Sequence, residues 1–157
     1  MARSTYIIAL GSNRPGRYGG PIAEVRAALA LLEPLATAPI MASAPVGPSQ
    51  RRFANSAAIV ESADDPPAML ARLKAIEQDF GRRPGRRWGA RVIDLDIIGW
   101  SGGPWVSPGL VIPHPAFRAR DFVLAPLARI APDWRDPVTG LSVRQLRHRL
   151  TRRRPLP

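Results

Sequence analysis

The sequence predicts a ferredoxin-like α+β sandwich, in which helices pack on one face of a mainly antiparallel sheet. Short apolar runs are typical of strands, two amphipathic segments are typical of helices, and the two kinds alternate in the order βαββαβ before further elements follow. The 157 residues suffice for one hydrophobic core, and neither a repeat nor a linker divides them. We therefore expect a single domain over residues 1–157, with a flexible tail at 152–157.

The first half of the predicted core is a strand, a helix and two further strands. Residues 4–10 form a buried strand that ends in a Gly/Pro-rich loop. Pro21 begins an amphipathic helix that ends near Pro34, because apolar residues recur there at helical spacing. A modest second strand is predicted over residues 40–46, and a third over residues 53–61.

The second half begins with a helix that opens at the Asp-Asp-Pro-Pro run of residues 64–67 and ends at Gly81. Residues 91–100 follow as a strand, which we expect to be central in the sheet. The remaining elements are a hairpin, a short strand and two helices, at 101–108, 110–112, 121–130 and 142–150.

The composition limits the classes of ligand. The 23 basic residues exceed the 12 acidic ones by 11, and all of the basic residues except Lys74 are arginine. Because the arginine fork binds phosphate, nucleotides, nucleic acids and phosphorylated metabolites are all candidates. The absence of cysteine excludes disulfides and thiolate metal sites and favours hard cations such as magnesium. The apolar run at residues 6–10 is too short for a membrane span or a signal core, so we expect no membrane association and a cytoplasmic location.

Asp94 and Asp96 are the residues that most strongly indicate a functional site in the sequence. Side chains two residues apart in a strand lie on the same face, which places the two Cα atoms about 6.5 Å apart. The apolar neighbours Ile93, Leu95 and Ile97 would then pack on the other face. A rigid pair of carboxylates at this spacing can share one or two magnesium ions.

The loop at residues 81–91 lies directly before this strand and carries five arginines and three glycines. Glycines allow such a loop to close over phosphates, arginines neutralise the charge of the transferred group, and Trp88 offers a flat surface for a heteroaromatic ring. The alternative is a solvated basic loop or a patch that binds single-stranded nucleic acid.

Two further groups of residues indicate a functional site only in combination with the features above. His114, held between two prolines, is placed to donate to a phosphate together with Arg120. Phe53 and Asn55 combine an aromatic face with an amide, the mixed lining typical of a small-ligand pocket. No Gly-x-x-x-x-Gly-Lys-Ser/Thr phosphate loop and no Ser-His-Asp or Cys-His arrangement is present, so nucleotide binding requires another solution.

Five segments stand in a characteristic order: residues 9–13 (ALGSN), 53–55 (FAN), 87–96 (RWGARVIDLD), 113–115 (PHP) and 120–124 (RDFVL). Together they resemble the 6-hydroxymethyl-7,8-dihydropterin pyrophosphokinase family of folate biosynthesis. The resemblance covers roughly residues 5–148. It implies a single-domain enzyme that uses ATP and magnesium to transfer diphosphate to a pterin alcohol and releases AMP.

The resemblance also implies a role for individual residues. Asp94 and Asp96 would hold two magnesium ions, and the groups expected to bind ATP are Glu77, Arg87, Arg91, His114 and Arg120. Arg82, Arg91 and Asp96 would take part in catalysis. The pterin would lie between the rings of Phe53 and Phe122, with Asn55 binding its edge and Trp88 closing the pocket.

The sequence departs from the family pattern in its loops. Arg51 and Arg52 stand where family members commonly have a proline and an acidic residue, and Pro84 leaves Arg83 and Arg86 as competitors of Arg82 for the catalytic position. Two alternatives to the leading function therefore stay open. One is a divergent paralogue that acts on another alcohol, and the other is a non-enzymatic nucleic-acid-binding domain of the same fold. We expect a monomer, with no nucleic-acid partner.

Overall fold

The computed structural model describes residues 2–43, 52–81 and 92–152. Within these ranges the chain forms seven strands, four α-helices and one 3₁₀ turn. In chain order they are β1 (Ser4–Ser12), α1 (Pro21–Leu32), β2 (Ala36–Thr37), β3 (Met41–Ser43), β4 (Phe53–Ser62), α2 (Pro66–Gly81), β5 (Asp94–Trp100), β6 (Trp105–Ser107), β7 (Leu110–Ile112), η1 (Phe117–Ala119), α3 (Asp121–Ile130) and α4 (Val143–Thr151).

The main sheet is antiparallel, with the strand order β2-β4-β1-β5 and with β3 also paired to β4. β1 pairs with β4 from Ser4 opposite Ser62 to Ser12 opposite Ala54. The other side of β1 pairs with β5, so β1 lies inside the sheet and β5 ends the strand order. β6 and β7 form a separate two-stranded hairpin. The predicted α+β architecture with a mainly antiparallel sheet is therefore confirmed, although β5 is not central.

Helices cover both faces of the sheet, whereas the sequence predicted helices on one face. Tyr6, Ile8 and Leu10 of β1 pack in a core with residues of α1 and α2. The alternate residues Ile7 and Ala9 pack in a second core with α3 and α4. Because adjacent residues of a strand point to opposite faces, an unbroken apolar run such as β1 is buried on both sides.

Gly99 shows how closely the second layer approaches β5. A Cβ atom added at Gly99 would lie 2.5 Å from Cζ2 of Trp134, which packs against the core formed by α3 and α4. No side chain fits at that distance, so the ring of Trp134 requires glycine at this position.

The remaining differences from the sequence prediction are local. The strand predicted at 40–46 corresponds to β3, and residues 44–46 lie outside the described part of the chain. β2 was not predicted; Pro39 separates it from β3, because proline has no N–H for the ladder. β1 continues two residues beyond its predicted end, and η1 was not predicted. The loops at 44–51 and 82–91, together with 153–157 of the predicted tail, lie outside the described residues. Within the described ranges, no helix has the length and apolar character needed to cross a bilayer.

The turn before α4 is organised around Asp136, whose side chain is fully buried. Its carboxylate accepts hydrogen bonds from Arg118 Nη2 at 2.8 Å, Thr139 Oγ1 at 2.7 Å and the Val138 N–H at 3.0 Å. Burial by itself would raise the pKa of this carboxyl, but the hydrogen bonds outweigh that effect and hold the pKa at about 2.

This shift predicts a specific acid sensitivity. The ionised Asp136 carboxylate stabilises the fold fully above its ordinary pKa of 3.8, and the contribution is lost as the pH falls toward 2. From this group we expect the free energy of unfolding to fall by about 2 kcal/mol across that window, measured by urea denaturation at successive pH values. Asp136→Asn should lose this part of the pH dependence, whereas the exposed Asp133→Asn should keep it. An Asp136→Asn profile as steep as that of the unsubstituted chain would contradict the assignment.

Candidate active site

A row of residues with small or polar side chains crosses three strands at one end of the sheet. In the register of the strands, Asn55 of β4 is opposite Gly11 of β1, and Gly11 is opposite Asp94 of β5. The next row consists of Ala57, Ala9 and Asp96. Ala9 and Ala57 belong to the core under α3 and α4, whereas Asp94 is exposed. The sheet face therefore changes from a buried core to an open polar surface between these two rows.

Asp94 and Asp96 lie on the same face of β5, as the sequence predicted from the strand period. Leu95 and Ile97 pack on the opposite side in the core with α1 and α2. Asp94 is exposed and Asp96 is half-buried, so both carboxylates border the open end of the sheet face. The pairing with β1 fixes the backbone that carries them.

Gly11 allows the side chain of Asn55 to lie close against β1. A Cβ atom added at Gly11 would be 3.0 Å from Oδ1 of Asn55, closer than most Cβ atoms approach an oxygen. The half-buried Asn55 amide thus lies close to Gly11, the residue that separates it from Asp94 in the row. An amide in this position can bind the edge of a planar polar ring.

The segment that follows β7 carries His114, on which Asp96 acts electrostatically. Its backbone N–H donates to the Ile98 carbonyl at 3.1 Å, which ties the segment to β5. Burial lowers the pKa of the His114 imidazole; the Asp96 carboxylate opposes this shift and the Arg120 cation adds to it. Nδ1 accepts from the Ala116 N–H at 3.1 Å, so Nε2 carries the proton of the neutral ring and is the nitrogen that can donate to a ligand.

Two aromatic rings, on β4 and α3, are exposed. Phe53, at the start of β4, is 44% exposed, and Phe122, in the first turn of α3, is 54% exposed. The guanidinium of Arg120 lies 5.7 Å from the centroid of the Phe122 ring. Since α3 packs against β4, the two rings belong to neighbouring elements and are available to a planar ligand.

Glu77 reaches the backbone of β5 between the two aspartates. It lies on α2, which packs on the other side of the sheet, and its side chain is only 8% exposed. Its Oε2 accepts a hydrogen bond from the Leu95 N–H at 2.9 Å, and Oε1 is 3.7 Å from Lys74 Nζ. Glu77 therefore holds β5 at the residue between Asp94 and Asp96, and its role in ATP binding stays a prediction.

Four of the predicted site residues cannot be placed. Arg82, Arg87, Trp88 and Arg91 lie outside the described residues, as do the competing Arg83 and Arg86. Their predicted roles in binding the triphosphate and in closing the pocket remain predictions. Asp94, which follows this segment closely, is nevertheless described and is fixed by its pairing with Gly11.

The two carboxylates suit magnesium. In the part of the chain that the structure describes, no group of three or more acidic, histidine or cysteine side chains could enclose an ion. Magnesium does not need such a group, because it commonly binds through one or two carboxylates and completes its shell with water and substrate phosphates. Asp94 and Asp96 are hard oxygen donors on one face, and Asp96 and the cationic Arg120 both act electrostatically on His114, so Arg120 could bind the same phosphates.

Sequence reasoning missed the pair formed by Arg118 and Asp136. The two residues are 18 positions apart, and no local periodicity links them. The signal that could have directed attention to Asp136 is the run Asp-Pro-Val-Thr-Gly at residues 136–140, which is typical of an aspartate-centred turn.

Comparison with known proteins adds independent findings. The family model described as 7,8-dihydro-6-hydroxymethylpterin-pyrophosphokinase (HPPK) matches residues 7–132. The 2-amino-4-hydroxy-6-hydroxymethyldihydropteridine pyrophosphokinase of Pseudomonas aeruginosa is 40% identical over 144 residues, which cover 87% of this chain and 86% of the relative. The protein of the same name from Synechocystis is 44% identical over 100 residues, 64% of this chain. That match spans 51% of the Synechocystis protein, about half its length.

The solved structures agree on the fold. A crystal structure of Plasmodium falciparum HPPK-DHPS with pteroate superposes with a TM-score of 0.70 at 16% identity. The superposition covers 94% of this chain and 42% of the longer Plasmodium chain. At this identity the likeness concerns the fold alone, and it includes nearly the whole of the present chain.

Proposed function

Because the chain belongs to the 7,8-dihydro-6-hydroxymethylpterin-pyrophosphokinase family, we propose that it transfers diphosphate from ATP to 6-hydroxymethyl-7,8-dihydropterin and releases AMP, a step of folate biosynthesis. The observation that supports this most directly is the placement of Asp94 and Asp96 on one open sheet face, in line with Asn55 and beside His114. The side with the aspartates and His114 suits cations and phosphates, and the side with Asn55 suits a planar ring with a polar edge.

In the proposed complex the pterin lies between Phe53 and Phe122, and the Asn55 amide binds its polar edge. Both rings are large and exposed, and Asn55 is held against Gly11 in the same sheet face. Trp88 would close over the pterin. This arrangement would carry the hydroxymethyl group toward the row that contains Asp96.

The triphosphate would lie on the other side, bound by His114 Nε2, Arg120, Arg87 and Arg91, with Arg82 added when the loop closes. The hydroxymethyl oxygen then attacks the β-phosphorus. A bond forms between that oxygen and the β-phosphorus, the bond from the β-phosphorus to the α–β bridging oxygen breaks, and AMP leaves with the bridging oxygen. The hydroxyl proton is released in the same step, and Asp96 is one candidate for its acceptor.

Catalysis in this proposal depends on positioning and charge. Two magnesium ions held by Asp94 and Asp96 would supply neutralisation of the charge that develops on the phosphates. The protein's own groups hold the acceptor oxygen in line with the β-phosphorus, and exclusion of water prevents hydrolysis. Glu77 contributes by holding the backbone of β5, as its bond to the Leu95 N–H indicates.

A coupled assay for AMP tests the proposal. The chain, ATP, magnesium and the dihydropterin alcohol should yield AMP and the pterin diphosphate in equal amounts. If the chain binds ATP but produces no AMP with this alcohol, it is a paralogue with another acceptor. RNA binding with a steep salt dependence and no AMP production would favour a nucleic-acid-binding domain instead.

We also propose the detailed topology, the cellular location and the oligomeric state of the chain. The strand order supports a ferredoxin-like βαββαβ core with a second helical layer added by the C-terminal elements. We further propose a cytoplasmic monomer without a nucleic-acid partner. Size-exclusion chromatography with light scattering tests the oligomeric state.

A further inference from the structure

The segment from His114 to Arg120 carries two of the groups assigned above to the triphosphate, and its two ends are held differently. At the first end, the His114 N–H bonds to the Ile98 carbonyl of β5. Toward the other end, η1 turns the chain, and the Arg120 N–H donates to the Phe117 carbonyl at 3.2 Å. A single 3₁₀ turn has few internal hydrogen bonds, so its position depends on contacts with other elements.

Arg118 supplies such a contact. Both Nε and Nη2 of its guanidinium donate to the Asp136 carboxylate, the second at 2.8 Å to Oδ1. The guanidinium also lies 4.8 Å from the centroid of the Phe117 ring, which is fully buried and packs against Trp134. A two-point fork of this kind fixes orientation as well as distance.

The partner of Arg118 is itself immobilised. Asp136 also accepts from Val138 and Thr139, its N–H donates to the Leu141 carbonyl at 2.8 Å, and its carbonyl accepts from the Gly140 N–H at 2.7 Å. The turn leads directly into the Ser142 cap of α4. The carboxylate is therefore a fixed point of the second helical layer, and Arg118 connects η1 to it.

We propose that Arg118 is a positioning residue for ATP binding, which holds Arg120 and His114 in place by anchoring η1 to Asp136. The proposal rests on the proposed function of this site. Arg118 differs from Arg120 in this respect: its guanidinium is committed to a buried carboxylate, whereas Arg120 lies beside an exposed aromatic ring. The sequence alone does not distinguish the two arginines as phosphate ligands. In the structure, Arg120 is the one of the two that is available to the ligand.

The test replaces Arg118 with lysine. Lysine keeps the positive charge near Asp136 but cannot form the two-point fork, so η1 should lose its fixed orientation. The probe is a non-hydrolysable α,β-methylene analogue of ATP, bound in the presence of magnesium. We expect its dissociation constant, measured by calorimetry, to rise about tenfold. In the AMP assay, the KM for ATP should rise while the KM for the pterin stays within about twofold of the unsubstituted value.

Arg144→Lys is the matched control, because Arg144 of α4 forms an exposed ion pair with Asp133 at a distance of 3.4 Å. This variant should bind the analogue as the unsubstituted chain does. All measurements are made well below the thermal unfolding midpoint of each variant. If Arg118→Lys does not fold, Thr139→Ala removes one donor to Asp136 and should weaken analogue binding to a smaller extent.

The proposal is overturned if the folded Arg118→Lys variant, or Thr139→Ala in its place, binds the analogue with unchanged affinity. It is also overturned if the KM values for ATP and pterin rise equally, since that result indicates a general loss of structure. The proposed function can fail separately: in that case the unsubstituted chain produces no AMP, while calorimetry with the analogue still reports on Arg118.

Discussion

Replacing Asp96 with alanine is expected to abolish diphosphate transfer while leaving the fold intact. Asp96 is half-buried at the border of the open sheet face, and it acts electrostatically on His114. Its loss removes a proposed magnesium ligand and the negative charge that acts on His114. We expect kcat to fall at least about a thousandfold, measured by AMP release at saturating ATP and pterin.

The control for this variant is Asp133→Ala, which removes an exposed carboxylate whose partner, Arg144, is also exposed. It should leave kcat unchanged. Circular dichroism and thermal unfolding should show that Asp96→Ala is folded, because the side chain does not belong to either core. Near-normal turnover by a folded Asp96→Ala variant would refute the metal assignment.

Replacing Leu124 with alanine is expected to cause a large loss of stability. Leu124 is fully buried in the core that α3 and α4 form on the second face of the sheet. Truncation removes buried apolar surface and leaves a cavity, at a cost of about 3 kcal/mol in the free energy of unfolding. Urea denaturation at neutral pH measures this cost.

Phe122→Ala is the matched comparison, because Phe122 lies two residues earlier in the same helix but is 54% exposed. It should change the free energy of unfolding by less than about 0.5 kcal/mol. We expect it instead to raise the KM for the pterin about tenfold, because one of the two rings proposed to stack on the pterin is lost. If Leu124→Ala were as stable as Phe122→Ala, the second helical layer would not be a folded part of the domain.

Local periodicity was sufficient for most of the secondary structure. The amphipathic segments predicted α1 and α2, and the two-residue period of a strand correctly placed Asp94 and Asp96 on one face. These inferences succeeded because each depends on residues that are close in the chain. The family resemblance drawn from the same segments is confirmed by the match to the family model.

Contacts between distant residues required the tertiary structure. The apolar run of β1 indicated burial but did not show that a second pair of helices covers its other face, because a strand pattern does not identify its partner. Gly99 has no evident role until the ring of Trp134 is seen against it.

The sequence alone thus determined most of the helices and strands and the strand face that carries Asp94 and Asp96, since helical and strand periods are local properties. Only the tertiary structure decided that Glu77 holds the backbone of β5 from the far side of the sheet and that Arg118 is bound to Asp136. The physical reason is that hydrogen bonds between residues 18 positions apart depend on how complete layers pack, which local sequence does not encode.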